Sequence, residues 1–311
     1  MAWVKKGLIY QPSNEFGWNK SHAQLICADT SYETFIRVYY STRDEQGRST
    51  PLFMDLDKNN LSNIIYKHSE PILPLGNPGL FDDCGVMPTW IMNNNGEKWL
   101  YYIGWTVRNT IPYHNSIGLA TSKDGIHFTK MFEGPVLNTI ATEPYFNGTA
   151  CVLFDEGIYK IWYLSCTGWH QPKEGKLEPC YNIKYAESND GIHWNRQGIV
   201  AIDFEHFDEG GISKANVIKY SDHYKMWYSY RCKDDYRDNT ERSYRIGYAE
   251  SKDGIRWTRM DDKVGIDISD SGWDSQMVEY PMVFDNNGTL TMIYNGNGFG
   301  QSGFGYAVYE D

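Results

Sequence analysis

Six carboxylates of this chain stand at or just ahead of predicted apolar strands: Asp82, Asp83, Glu143, Asp208, Glu209 and Glu279. Carboxylates crowded into one poorly hydrated place cannot all ionise. Their pKa values then split into an acid and a base, which is the equipment of general acid–base catalysis. Glu279 lies inside Val278-Glu279-Tyr280-Pro281, where a strand acid needs a partner or a task. Asp82 and Asp83 precede Gly85 and equally suit a turn, because Asp caps nearby amides. Glu143 is held extended by Pro144 and equally suits a solvated loop, as do Asp208 and Glu209 beside Gly210 and Gly211. A second set is basic: His22, Arg43, Arg108, Lys214 and Arg231. It suits charge balance for the carboxylates or recognition of an anionic or phosphate-bearing group. Trp105 and Trp169 offer flat faces to a sugar ring or to their own packing, and Asn295 adds an amide.

The elements that must position these groups are repeats. NSIGLATSKDGIHF (115–128), YNIKYAESNDGIHW (181–194) and YRIGYAESKDGIRW (244–257) are copies, and the last two agree at 10 of 14 positions. A period of about 65 residues, built of short strands, is the signature of a propeller. In each copy an Asp-Gly turn joins two alternating runs, a strong hairpin signal. An aromatic strand precedes each copy (WLYYIGWT, YKIWYLSCTGW, YKMWYSYR), and one more apolar strand precedes that. Four strands in an antiparallel meander make one blade. Weaker copies flank these three. The C-terminal copy supplies three strands, and WVKKGLIY (3–10) supplies the fourth. The expectation is therefore an all-β chain forming a single five-bladed β-propeller, with the N-terminal strand closing the last blade. The blades are expected over about 21–70, 82–132, 147–200, 212–262 and 278–311 plus 3–10. Aspartates 124, 190 and 253 recur in every hairpin turn and are assigned to structure. In such a ring, the starts of the first strands and the ends of the second strands meet at one mouth of the central channel. The long connections 66–85, 132–147, 166–181, 198–213, 231–244 and 260–278 gather there, and all the candidate residues named above fall on that side.

Composition agrees. The chain has 311 residues, 41% hydrophobic and 22% charged, as a globular protein should. Aromatic residues reach 15% beside 29 glycines, which favours strands and turns over helices. A formal charge of −11 argues against binding a phosphate backbone, so no nucleic-acid partner is expected. No apolar run reaches the length of a membrane span, and the N-terminal residues show no apolar signal core. Six scattered cysteines without a CxxC pair read as free thiols, and a cytoplasmic location is expected. No metal-ligand spacing, P-loop, GxGxxG or nucleophile elbow is present, so no metal and no cofactor are expected.

On these runs the chain resembles the five-bladed propeller glycosidase superfamily of arabinanases, β-xylosidases, levansucrases and invertases. It is similar in particular to glycosidase-like proteins of bacterial surface-polysaccharide gene clusters. The matching runs are KSHAQL (20–25), FDDCGVMP (81–88), TEPYF (142–146), WDSQMVEYPMVF (273–284) and YNGNGFG (294–300). The resemblance implies a glycoside hydrolase-like enzyme. Its acid would be Glu143 or Glu279, and Asp83 its base or pKa tuner, with Asp83 or Asp82 matching the superfamily's middle carboxylate. The remaining candidates, His22, Arg43, Asp82, Trp105, Arg108, Trp169, Glu209, Lys214, Arg231 and Asn295, would bind a carbohydrate substrate. The chain departs from the superfamily where its first-blade Asp is expected, because Ser21-His22-Ala23 stands there. That departure keeps two further readings open: a phosphorylase or an enzyme of phosphorylated or nucleotide-activated sugars, and a non-catalytic sugar-binding propeller.

Overall fold

The computed structural model describes residues 2–310, and among these twenty strands form five four-stranded antiparallel meanders. The first strand of the chain, β1 (Ala2–Tyr10), belongs to the last unit. Unit one is β2 to β5 (Ser21–Asp29, Phe35–Arg43, Ser49–Asp57, Asn60–Lys67), and unit two is β6 to β9 (Gly85–Asn94, Glu97–Val107, Tyr113–Ser122, Thr129–Lys130). Unit three is β10 to β13 (Asn147–Asp155, Ile158–His170, Glu178–Ser188, Asn195–Ile202). Unit four is β14 to β17 (Glu209–Lys219, Tyr224–Cys232, Arg245–Ser251, Thr258–Arg259). Unit five is β18 to β20 (Glu279–Asn286, Thr289–Asn295, Phe304–Glu310), completed by β1. The first strands β2, β6, β10, β14 and β18 touch one another in cyclic order, so the units ring a central axis. The all-β expectation holds, and β1 pairs with β20 from Ala2↔Glu310 to Tyr10↔Phe304. The expected final run 304–311 ends in Asp311, which lies outside the described residues.

Two repeated devices hold the ring. The first is the hairpin turn. In unit two the Asp124 carboxylate accepts the amides of Ile126 (2.8 Å) and His127 (2.9 Å), and Ser122 Oγ accepts Gly125 N (3.0 Å). Asp190 and Asp253 repeat this pattern. The glycine between them has φ near +74° in all three turns (+72°, +73° and +76°), a conformation that disfavours other residues. Its carbonyl accepts a hydrogen bond from the preceding unit: Tyr39 Oη to Gly125 (2.7 Å), Tyr101 Oη to Gly191 (2.9 Å), Trp162 Nε1 to Gly254 (2.8 Å). The repeated Ser-x-Asp-Gly is thus the staple between neighbouring units.

The second device lies within a unit. A buried Tyr on the second strand donates to a carboxylate from an adjoining loop, and that carboxylate pairs with a cation on the outermost strand. The triplets are Tyr102–Asp82–Lys130, Tyr163–Glu143–Arg196, Tyr228–Asp261–Arg259 and Tyr294–Asp274–Lys5. Unit one uses Tyr10, Glu15 and Lys67 instead. Every inner strand also carries at least one irregularity in its pairing with the second strand, and β2 and β14 carry two; such bulges bend a strand locally.

Candidate active site at the channel mouth

Register fixes a layer of equivalent inner-strand positions just below the mouth. Gln24 faces Ser41, Met87 faces Ile103, Gly148 faces Leu164, Ser213 faces Ser229 and Glu279 faces Asn295. Gln24 Oε1, Ser213 Oγ and both oxygens of Glu279 are buried without hydrogen-bond partners. Glu279 is the extreme case, with 0% of its surface exposed. Burial pushes its pKa well above the usual carboxylate range, and the Tyr280 hydroxyl and the charges of Arg237 and Arg231 offset only part of that. Burial thus favours the protonated form of its carboxyl.

The basic set divides. His22 and Arg43 come together at the start of β2 and the end of β3. Burial and the Arg43 charge lower the His22 pKa to about 4, so its imidazole is neutral at pH 7. Its Nδ1 lies 2.7 Å from Ser21 Oγ. Burial also lowers the pKa of Arg43, whose Nε is buried without a partner; Arg237 acts in the same direction. Arg231 is buried, and its donors are spent on Pro179 O (2.8 Å), Cys232 O (2.8 Å) and Tyr244 Oη (3.2 Å). It stacks 3.8 Å from the Tyr236 ring centroid, and Arg237 lies 4.8 Å from the same centroid. Arg237 is paired with Glu178. Lys214 is buried in the channel, where its Nζ donates to Thr89 O (3.1 Å), and burial lowers its pKa. Arg108 is exposed on its loop.

The other expected carboxylates sit within the walls. Asp82 accepts from Lys130 (2.6 Å) and Tyr102 (3.2 Å). Glu143 accepts from Tyr163 at 3.0 Å, Arg196 at 3.3 Å and Ser165 at 3.4 Å. Glu209 is held by Arg259 at 2.9 and 3.0 Å. Asp83 is half-buried. Burial raises its pKa, but donation from the Gly79 amide (2.9 Å) with Thr106 and Cys84 outweighs that and keeps it below the usual range. Asn295 is a spacer: its amide donates to Ala23 O (2.6 Å) and Gly303 O (3.0 Å) and accepts from Leu25 N (3.2 Å). Trp105 Nε1 donates to Ser49 Oγ (3.2 Å). Its indole lies so close over Gly85 that a Cβ there would meet Nε1 at 1.8 Å. Trp169 packs with Tyr113 and Phe146, ring centroids 5.8 and 5.7 Å away.

Residue reasoning had passed over Tyr113, Glu178, Tyr236, Arg237, Tyr244 and Tyr280. Tyr113, Tyr236 and Tyr244 join Tyr280 and Arg43 as neighbouring groups at the mouth. The signal was available, since 231–244 stood out as a long mouth connection and Tyr280 is the neighbour of Glu279. Among the described residues no group of three or more His, Cys, Asp or Glu is placed to hold a metal ion, and no helix is long and apolar enough to cross a membrane. All six cysteines are unpaired.

No protein-family model matches the chain. The Uncharacterized protein Rv1502 of Mycobacterium tuberculosis is 38% identical over 311 residues, 100% of both chains. A solved structure named "Glycoside hydrolase" is similar at a TM-score of 0.75 and 16% identity, covering 99% of this chain and 91% of that one. Another is described in the words "The GH130 family of mannoside phosphorylases contains glycoside hydrolases that target beta-1,2 mannosidic linkages in Candida mannan". It is similar at a TM-score of 0.72 and 16% identity, covering 99% and 93%. At these identities the likeness to the solved structures is one of fold: this chain has the propeller fold of glycoside hydrolase-like proteins.

Proposed function

We propose that this chain, which belongs to one protein family with Rv1502 of Mycobacterium tuberculosis, is a carbohydrate-active enzyme that breaks a glycosidic bond at the channel mouth. The observation that carries the reading is Glu279. A strand carboxyl with no partner, kept protonated by burial, is costly for stability and suited to a general acid. In the proposed reaction it supplies the proton taken by the leaving oxygen as an oxocarbenium-like transition state develops. Asp83, which stays ionised, is the proposed base or tuning charge. Neutral His22 stands at the first-blade position and is a second group able to take a proton. Aromatic faces at Trp105, Tyr113 and Trp169 support a sugar ring. Asp82, Glu143 and Glu209, each already paired, act in this reading by holding the walls that shape the mouth.

A second reading is favoured by Arg43. A half-buried guanidinium whose buried Nε has no partner, beside an uncharged His22, suits an anionic co-substrate such as phosphate, or a charged substituent on the sugar. Wild type and Glu279→Gln, incubated with defined oligosaccharides including β-1,2-mannobiose, with and without inorganic phosphate, separate the readings by their products. Free sugars from wild type alone support hydrolysis. A sugar 1-phosphate formed only with phosphate supports phosphorolysis. Calorimetric binding by both proteins with no product from either refutes an enzyme and leaves a sugar-binding propeller.

A further inference from the structure

The carboxyl of Glu279 is sealed as well as unpartnered, since neither oxygen has appreciable solvent exposure. A proton donor must come within hydrogen-bond reach of the reacting oxygen, or act through one intermediary. The neighbour in sequence is that intermediary in position. In a regular strand residues 279 and 280 would point to opposite faces. Here Glu279 pairs with Asn295 but Met282 pairs with Ile293, so the β18 side holds one extra residue. Tyr280 absorbs it with φ +53°, and its amide is fixed by Ser229 Oγ at 2.7 Å. The bulge turns the Tyr280 side chain into the mouth. There it packs against the cluster of Leu25, Met87 and Ile103, and its ring centroid lies 6.2 Å from that of Tyr244. Unlike Glu279 it keeps part of its surface exposed. Its hydroxyl acts on Glu279 on one side and on Arg43 on the other.

We propose that Tyr280 relays the proton of Glu279 to the leaving oxygen, a role that rests on the reading of Glu279 as the acid. As the glycosidic C–O bond breaks, its electron pair passes to the oxygen, which takes the phenolic proton. The phenolic oxygen takes the carboxyl proton in the same step. Tyr280 ends neutral and Glu279 ends as a carboxylate, in the field of Arg237 and Arg231. Burial and the neighbouring Glu279 push the phenol pKa well above its ordinary value, so Tyr280 passes a proton without resting as phenolate. A tyrosine kept only for packing would need its ring and not its hydroxyl.

Tyr280→Phe keeps the ring and removes the relay. The first test needs no substrate. The infrared band of the protonated Glu279 carboxyl, identified as wild type minus Glu279→Gln, shifts to higher wavenumber in Tyr280→Phe if the phenol contacts it. An unmoved band overturns the relay. The absence of any protonated-carboxyl band at neutral pH overturns the reading of Glu279 instead. The second test uses phenyl and 2,4-dinitrophenyl glycosides of the sugar released in the product screen. The expected loss in Tyr280→Phe is ~10²–10⁴-fold for the phenyl glycoside and slight for the dinitrophenyl one, whose leaving group needs no proton. Glu279→Gln should show the same split. A uniform loss, or none, in Tyr280→Phe while Glu279→Gln shows the split overturns the relay and leaves the acid assignment standing.

Discussion

Replacing Glu279 by Gln should make the protein more stable as pH rises, while removing its activity. The folded protein holds the Glu279 proton because burial raises its pKa well above the ordinary 4.5. The unfolded chain gives up that proton above about 4.5. Between these two values the unfolded state binds fewer protons than the folded one, so stability falls with rising pH. The loss is about 1.4 kcal/mol for each pH unit, reaching a plateau once the folded carboxyl itself ionises. Below 4.5 the group is protonated in both states and contributes no slope. Gln has nearly the same shape and cannot ionise, so the variant escapes the slope. Its amide also lacks partners, which adds a pH-independent offset of about 1–3 kcal/mol in the opposite direction. The measurement is therefore the pH dependence of the difference. Urea denaturation of both proteins at half-unit steps from pH 4 to 8, with equal m-values, gives it. A difference that stays flat across this range would show that Glu279 titrates normally, and the argument from its burial would fail.

Asp190→Ala removes the acceptor of the Ile192 and His193 amides and should cost about 1–3 kcal/mol in urea denaturation, with turnover per folded molecule unchanged. His22 should titrate near pH 4 by NMR, and Arg43→Met should move that midpoint upward toward the ordinary imidazole value by removing a neighbouring cation. A midpoint near 6.5 in wild type would contradict the burial of the ring. Asp274→Asn leaves Lys5 and Tyr294 without their shared carboxylate. A loss of about 3 kcal/mol or more is expected, because a partly buried cation is left unpaired, and thermal unfolding against wild type reads it. Removing residues 2–10 should leave β20 as a bare edge, lower the melting temperature sharply and promote self-association in size-exclusion chromatography.

Strand type, repeat length and the closing role of the N-terminal run were legible because they depend on local pattern. Alternation, Asp-Gly turns and a mismatch in strand number between the two ends need no knowledge of contacts. The carboxylates were harder, because their meaning is set by partners remote in sequence. Glu143 and Glu279 look alike as acids beside a predicted strand start. One is hydrogen-bonded to Tyr163 and Arg196, 20 and 53 residues away, and the other has only the Tyr280 hydroxyl acting on it, with neither oxygen in a formed hydrogen bond. Arg231 and Arg43 likewise share a place at strand ends, yet only Arg231 finds two backbone carbonyls. Tyr280 was missed for a different reason. Strict alternation sends it away from Glu279, and a one-residue bulge, which no local pattern announces, brings it back.

The pairing of β1 with β20 also has a consequence in time. During synthesis residues 2–10 leave the ribosome long before their partners at 304–310. Joining two ends separated by roughly 300 flexible residues costs about 5 kcal/mol of chain entropy, against about 1–2 kcal/mol for a tight hairpin. Early closure is therefore disfavoured. Once units one to four have folded, the same ends are already neighbours, and most of that entropy has been spent on building the units. Growth of the ring should thus run from unit one onward, with the closing strand waiting unpaired as the final step. Residues 2–10 are in effect a clock, since they cannot lock until residues 304–310 have been made.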